Sequence, residues 1–246
     1  SLNSSQVVPD GPMLYDLAAI QYVYGPNFSY RTGNDVYTFD PATPFLRTIW
    51  DAGGVDTISV ANFSKDCVID LRQGHYSSIT IESDSTSAYN WAFPPTTATY
   101  DGTNNLAVAF GCVIENATGG WGNDILIGNS SNNFLNGGKG TDSAVFSANL
   151  SRYTLSKAGS SYTVRDNTGS DGTDTLTSIE RLKFADKTVN LTIQAQAAAA
   201  PQADVNRLAE LYVAFFNRVP DADGLSHWIG QLGAGQSVTQ IAEAFY

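Results

Sequence analysis

The sequence predicts a mainly β protein in which an antiparallel sandwich merges into a short parallel β-roll, with further hairpins and a small C-terminal helical module. Three observations lead there. Only 15% of the 246 residues are charged and 42% are hydrophobic, so the polar remainder is mostly Ser, Thr, Asn and Gly, which suits strands and turns more than long helices. Short apolar-alternating runs such as VYTF, TISV and VIDL recur between clusters of Gly, Asn, Asp and Ser over residues 36–113. Then GGWGNDILIGNSSNNFLNGGKGTD, residues 119–142, sets glycines at 119, 120, 122, 128, 137, 138 and 140 around apolar residues at 125, 127, 134 and 135.

The elements follow in chain order. In PMLYDLAAIQYVY, residues 12–24, apolar side chains at 13, 14, 17, 20, 23 and 24 approach a helical period, and Gly25-Pro26 stops the helix. Residues 31–118 form the sandwich part, 119–146 the roll and 147–193 a hairpin continuation, with turns at residues 157–160 and 167–170. Residues 194–203, lacking both apolar periodicity and charge, read as a linker. Beyond it, Val205, Leu208, Leu211, Tyr212, Phe215, Phe216 and Val219 stack on one helical face behind an Asp204 cap. Ser237 with Gln240 makes a capping box for a later helix, so residues 204–246 form the helical module.

A net charge of −11 argues against nucleic acid and anionic lipid as partners and favours cations. No apolar run reaches the roughly 18–20 residues that span a bilayer, so no membrane insertion is expected. The first residues, SLNSSQVVPDG, carry neither a basic region nor an apolar signal core and no initiator Met, which reads as a processed or subcloned piece. Cys67 and Cys112 leave open a disulfide or two buried thiols.

At a period of nine the glycine-rich stretch reads GGWGNDILI, GNSSNNFLN, GGKGTDSAV, which is the GGxGxDxUx pattern with a degenerate middle copy. Glycines in such turns let backbone carbonyls crowd inward. Oxygens of Gly120, Gly122 and Asp124 in one turn then face those of Gly137, Lys139 and Asp142 from the turn eighteen residues later. A shell of about six hard oxygen donors suits calcium. Leu126 and Leu135 at the U position point into a thin core between two parallel sheets. Without the ion the coil cannot bury its carboxylates, so binding and folding form one event. The copies are too few for a free-standing roll, which must lean on its flanks.

The segments PMLYDLAAIQYVYG, RTGNDVYTF, WDAGGVDTISVANF, VIDLRQGHYSSI and VIENATGGWGNDILIGNSSNNFLNGGKGTD resemble the C-terminal half of serralysin-type secreted zinc proteases, of the repeats-in-toxin class. The resemblance implies three or more calcium sites in all. In one, the carbonyls of Arg31 and Gly33 join Asp35, Asp51, Gly53 and Asp56; in the next, Gly54, Asp56, the Val113 carbonyl and Glu115 take part. Physics favours the same positions, because Asp51, Asp56 and Glu115 meeting at one sheet edge would repel without a cation. The resemblance further implies an extracellular, secreted bacterial protein, export by type I secretion machinery, and an upstream protease domain of which residues 1–30 are the end. Two departures stand out: the repeats stop at Asp142, and the family generally lacks cysteines at 67 and 112.

The family's zinc motif HExxHxxGxxH and its Met-turn are missing, since the only histidines are His75 and His227, in no such spacing. This chain is therefore expected to be no enzyme, with zinc only in a missing catalytic domain. His75 reads as structural. The expected function is a calcium-binding module that folds outside the cell and supports secretion and stability of a larger protein; the alternative is an adhesive or surface-anchoring module binding glycan or a partner protein. Trp50, Trp91, Trp121 and Trp228 could form a sugar platform, although packing is the commoner use. Asp166, Asp171 and Asp174 read as solvated turn acids, with calcium as the alternative. The tail RLAELYVAFFNRVPDADGLSHWIGQLGAGQSVTQIAEAF resembles a small helical domain of unknown function through Arg218, Asp221 and Trp228, and its DADG reads as a helix-ending turn.

Overall fold

After helix α1 (Leu14–Tyr24), the computed structural model, which describes residues 7–83 and 100–245, runs as very short strands. These are β1 (Val36–Thr38), β2 (Arg47–Ile49), β3 (Thr57–Ser59), β4 (Val68–Asp70), β5 (Tyr76–Ser77), β6 (Leu106–Val108), β7 (Asn116–Thr118), β8 (Ile125–Ile127), β9 (Phe134–Asn136) and β10 (Ser143–Val145). A 3-10 turn at Leu150–Arg152 leads into β11 (Tyr153–Ala158), β12 (Ser161–Asp166), β13 (Thr173–Thr177), β14 (Arg181–Lys183) and β15 (Thr188–Asn190). Helices α2 (Ile193–Ala199), α3 (Gln202–Phe216), α4 (Ala222–Gly233) and α5 (Val238–Glu243) complete the chain. It is mainly β, with the expected small helical module at its C-terminus. Two compact units result: one holds the chain up to Ile179 with Lys183–Lys187, the other Glu180–Leu182 and the chain from Thr188.

In the first unit a seven-stranded sheet runs β1-β3-β7-β9-β13-β12-β11, while β4, β8 and β10 adjoin in a second sheet and β2, β6 and β5 form a third. The pairs β1 with β3, β3 with β7, β7 with β9, β4 with β8, β8 with β10 and β2 with β6 are all parallel. This corrects the antiparallel sandwich expected for residues 31–118, where only β5 against β6 is antiparallel among the described strand pairs. Alternating apolar residues report which face is buried, not strand direction. A chain that winds the same way on every coil stacks its strands parallel, so the roll begins well before its glycine-rich signature.

The strands turn one residue each into the core: Ile58, Ala117, Leu135 and Leu176 on one sheet and Ile69, Leu126 and Ala144 on the other are all within 1% of complete burial. Leu126 and Leu135 thus occupy the core positions their sequence register requires. Each buried leucine contributes about 2 kcal/mol, and three-residue strands have little else to hold them. The hairpin of β11 and β12 forms with the expected turn, Ala158 facing Ser161. Phe146, Tyr153 and Phe184 pack with ring centroids 5.1–5.3 Å apart at its base. Cys67 and Cys112 are both buried free thiols.

In the second unit Val205, Leu208, Ile229 and Ile241 form a core flanked by Ile193, Leu211, Trp228 and Phe245. The expected linker 194–203 is largely helix α2. Asp204 lies in the first turn of α3 and does not cap it; α3 starts at Gln202 behind Pro201. Its apolar face also ends sooner, leaving Phe216 and Val219 exposed. Asp221 accepts from Gly224 N and caps α4, so DADG begins a helix where a helix end was expected. The Ser237 and Gln240 capping box is present. Among the described residues no helix is long and apolar enough to cross a membrane.

Candidate metal centre

Asp51 follows β2, whereas the other acids of the site each immediately precede a strand: Asp35 before β1, Asp56 before β3, Glu115 before β7, Asp124 before β8 and Asp142 before β10. Parallel register therefore stacks them at one end of each sheet. On the seven-stranded sheet, Asp35 N donates to Asp56 Oδ1 and Asp56 N to Glu115 Oε2, both at 2.8 Å. On the second sheet, Cys67 N donates to Asp124 Oδ1 and Asp124 N to Asp142 Oδ1, both at 2.7 Å.

Asp35, Asp51 and Asp56 each bring a carboxylate oxygen within 4.8 Å of the other two. Asp51 is 2% exposed and Asp56 fully buried. Asp51 accepts from Tyr37 OH at 2.5 Å and from Gly53 N at 2.9 Å. Arg31 Nη1 reaches Asp35 at 3.2 Å and offsets part of the charge. Asp56 Oδ2, in contrast, is buried without a hydrogen-bond partner among the described residues. Burial pushes the Asp56 carboxyl up to about 6, and the nearby charges of Asp51, Glu115 and Asp35 add to the rise. Burial, then the bond to Asp51, likewise raises the Tyr37 hydroxyl.

The backbone closes round the same acids. Arg31 has φ 50°, and Gly53 and Gly54 have φ 146° and 144°, a region an L side chain enters at a cost. A Cβ on Gly54 would lie 1.9 Å from the Gly33 carbonyl oxygen and 3.0 Å from Asp56 Oδ1. The Arg31 carbonyl accepts from Ala52 N at 3.3 Å. The residues implied for the first site, Arg31, Gly33, Asp35, Asp51, Gly53 and Asp56, are thus brought together, and Gly54 and Glu115 adjoin them through Asp56. Val113, two residues before Glu115, sits on an exposed edge.

The nine-residue repeat builds a second oxygen-rich place. Asp124 is 1% exposed and Asp142 fully buried. Asp124 Oδ2 accepts from Gly120 N at 2.6 Å, and Lys139 N donates to the Gly120 carbonyl at 2.9 Å. Side chains are excluded at the glycines: a Cβ on Gly119 would lie 2.2 Å from the Gly137 oxygen, and one on Gly140 2.1 Å from the Gly122 oxygen. Burial is the main cause that raises the Asp124 carboxyl. Gly120, Gly122 and Asp124 therefore do face Gly137, Lys139 and Asp142. Every side-chain and backbone donor at both places is oxygen, the set a hard cation such as calcium takes.

Other expectations meet a different outcome. Asp166 and Asp174 are 4% and 3% exposed, so they are not solvated turn acids. Asp166 is held well below the usual carboxylate range by Arg152, whose guanidinium reaches it at 2.5 Å. Asp174 carries no such partner. Its signal in the sequence was GSDGTD at 169–174, spaced like GGKGTD at 137–142. Trp50 donates to the Asn27 carbonyl, Trp121 lies 61% exposed beneath Lys139 Nζ, and Trp228 donates to Tyr212 OH. Trp91 lies outside the described residues. His75 Nδ1 stands 3.8 Å from Asp70, on the turn before β5.

The peptidase M10 serralysin C-terminal family matches residues 15–87 and 101–238 of the chain. Serralysin of Proteus mirabilis is 35% identical over 136 residues, half of this chain and 24% of that protein. Serralysins C and B of Dickeya chrysanthemi are 34% and 36% identical over 128 and 129 residues, covering 47% and 48% of this chain and 22% and 23% of theirs. The chain thus spans about a quarter of the length of the curated relatives it matches.

Proposed function

The chain belongs to the peptidase M10 serralysin C-terminal family, and from that premise we propose that it is a calcium-binding module. It folds when calcium is supplied outside the cell and so supports secretion and stability of a larger secreted protein. The observation that carries this reading is the trio Asp35, Asp51 and Asp56, with carboxylate oxygens within 4.8 Å and Asp56 Oδ2 unmatched in the interior. An unpaired buried carboxylate is costly, and a divalent cation removes the cost. Arg31, Gly33, Asp35, Asp51, Gly53 and Asp56 would hold one ion, Gly54, Asp56, Val113 and Glu115 a second, and the two glycine turns a third.

Energies of the right size follow. An extracellular site with a dissociation constant of about 0.1–1 mM gains roughly 1.4 kcal/mol in tenfold excess calcium, and coupled sites add to that. Where free calcium is scarce, inside the cell, the turns stay loose and threadable through type I secretion machinery. Outside, the ions gather the carboxylates and inward carbonyls, and the short strands close.

We read the larger protein as a zinc metalloprotease with its catalytic domain upstream, where the zinc is bound. Supporting this, α1 exposes Tyr22 at 91% and Tyr24 at 84%, with Phe28 beyond it at 70%, an apolar surface that an upstream domain would cover. Far-ultraviolet circular dichroism and melting of the whole chain, in calcium and in EGTA, test the folding role. Loss of β signal and a lower melting temperature in EGTA are expected; identical curves would overturn it. Casein hydrolysis by the full-length protein, with and without zinc, tests the protease reading separately.

A further inference from the structure

The five parallel strands of the seven-stranded sheet align Tyr37, Ile58, Ala117, Leu135 and Leu176 in one buried row. The residues on either side of that row therefore point out of the roll. Register sets them in two further rows. One runs Val36, Thr57, Asn116, Phe134, Thr175, and the other Thr38, Ser59, Thr118, Asn136, Thr177, each residue directly beside the next. Neither row holds a charged residue, although the chain carries a net charge of −11.

The winding does not dictate this composition. On the second sheet the corresponding outward positions of β8 and β10 carry Ile125, Ile127 and Val145. Strand preference does not dictate it either, since Asn is disfavoured in strands and both Asn116 and Asn136 stand in them. Asn116 Nδ2 donates to Thr57 Oγ1 at 3.3 Å along its row, and Asn136 Oδ1 accepts from Gly138 N at 3.2 Å. The hydroxyls of Thr38, Thr118, Thr175 and Thr177 bond nothing among the described residues and are left to the surroundings. Phe134, 42% exposed, and Val36, 62% exposed, add apolar surface to the polar rows.

Hydroxyls and amides recur along each row at the spacing of adjacent strands, about 4.8 Å, and the rows lie about 7 Å apart. That repeat is close to the length of one hexose in an extended β-linked chain, whose rings offer hydroxyls at their edges and C–H groups on their faces. Thr, Ser and Asn side chains match the edges as donors and acceptors. The Phe134 ring matches a sugar face. An anionic polymer would meet the field of a strongly acidic chain, with no Lys or Arg in either row to receive its charge. We propose that this face binds a neutral β-linked polysaccharide, its chain lying along the rows and across the strands. Each contact is weak, and affinity comes from their repetition along one polymer. The face requires only the stacked strands, whatever ion holds the turns.

Pelleting of the whole chain with microcrystalline cellulose and with chitin, in calcium and at low and high salt, tests it. Binding to at least one of the two is expected, unchanged by salt because no charge takes part. Thr118→Lys should abolish it, Phe134→Ala should weaken it about tenfold, and Thr188→Lys, at an exposed position of β15, should bind like the unaltered chain. The double change Thr118→Val with Thr177→Val keeps shape and strand preference, so its expected loss of about threefold or more decides the matter if Thr118→Lys does not fold. No binding of the unaltered chain to either polymer, release by salt, a stronger hold on the anionic polygalacturonate, or variants equal to the unaltered chain would each overturn the proposal.

Discussion

The amide of Asp56 donates to Glu115 Oε2 at 2.8 Å although 59 residues separate them. The same bond pattern steps along one sheet edge, from Asp35 to Asp56 over 21 residues and from Asn133 to Asp174 over 41. A parallel coil makes these meetings unavoidable, and it brings like charges together as it does so. The fold and the need for a cation are thus one geometric fact.

Asp56→Asn should change sign with conditions. In EGTA at pH 7 the native carboxylate is charged and buried, so the neutral variant should melt higher than the unaltered chain. The folded carboxyl, raised to about 6, holds a proton that the unfolded chain, near 4, has released. Its stabilisation of the cation-free form is therefore fully present below about pH 4 and lost as pH rises through 6, so the gap should narrow from pH 7 to pH 5. In saturating calcium the order should invert, because the variant loses a ligand. Scanning calorimetry at both pH values checks this; a variant less stable in every condition would contradict it.

Gly54→Ala and Gly140→Ala each drive a Cβ to 1.9 and 2.1 Å from a carbonyl oxygen, at φ 144° and 115°. Each should cost about 2 kcal/mol or more and weaken calcium binding. Gly230→Ala, inside α4 with open space and ordinary φ, should stabilise by about 0.5–1 kcal/mol. Denaturant melts that rank Gly230→Ala with the other two would refute the crowding of carbonyls.

Leu126→Ala should cost about 2–5 kcal/mol, since it empties a fully buried position in a three-residue strand. A loss under 1 kcal/mol in urea would mean that the roll holds without its thin core.

Burial pushes the Cys67 and Cys112 thiols up to about 12. With calcium at pH 8, both should react with Ellman's reagent about a thousandfold more slowly than an ordinary thiol. In EGTA both should react freely as the coils open. Equal rates in the two conditions would show that the core stays shut without the ion.

How far the sequence told of all this depends on the regularity of the coil. Residues 119–142 keep a strict period of nine, so Asp124, Asp142, Leu126 and Leu135 could be placed, and the three-residue strands duly follow each acid. Upstream, steps of 21 and 59 residues between stacked acids hide the same winding, and the parallel pairing there was invisible. Asp174 was read as a solvated turn acid because a hairpin pushed its turn out of phase, and it is 3% exposed. In the helical unit, Pro201 starts α3 ahead of Asp204, and Asp221 bonds forward to Gly224, a choice that local spacing alone leaves undecided.

The most direct measurement is a long-wavelength anomalous difference map from crystals grown in ample calcium. One peak is expected among Asp35, Asp51 and Asp56 and another between the turns that carry Asp124 and Asp142. Ordered water alone at both places would contradict it.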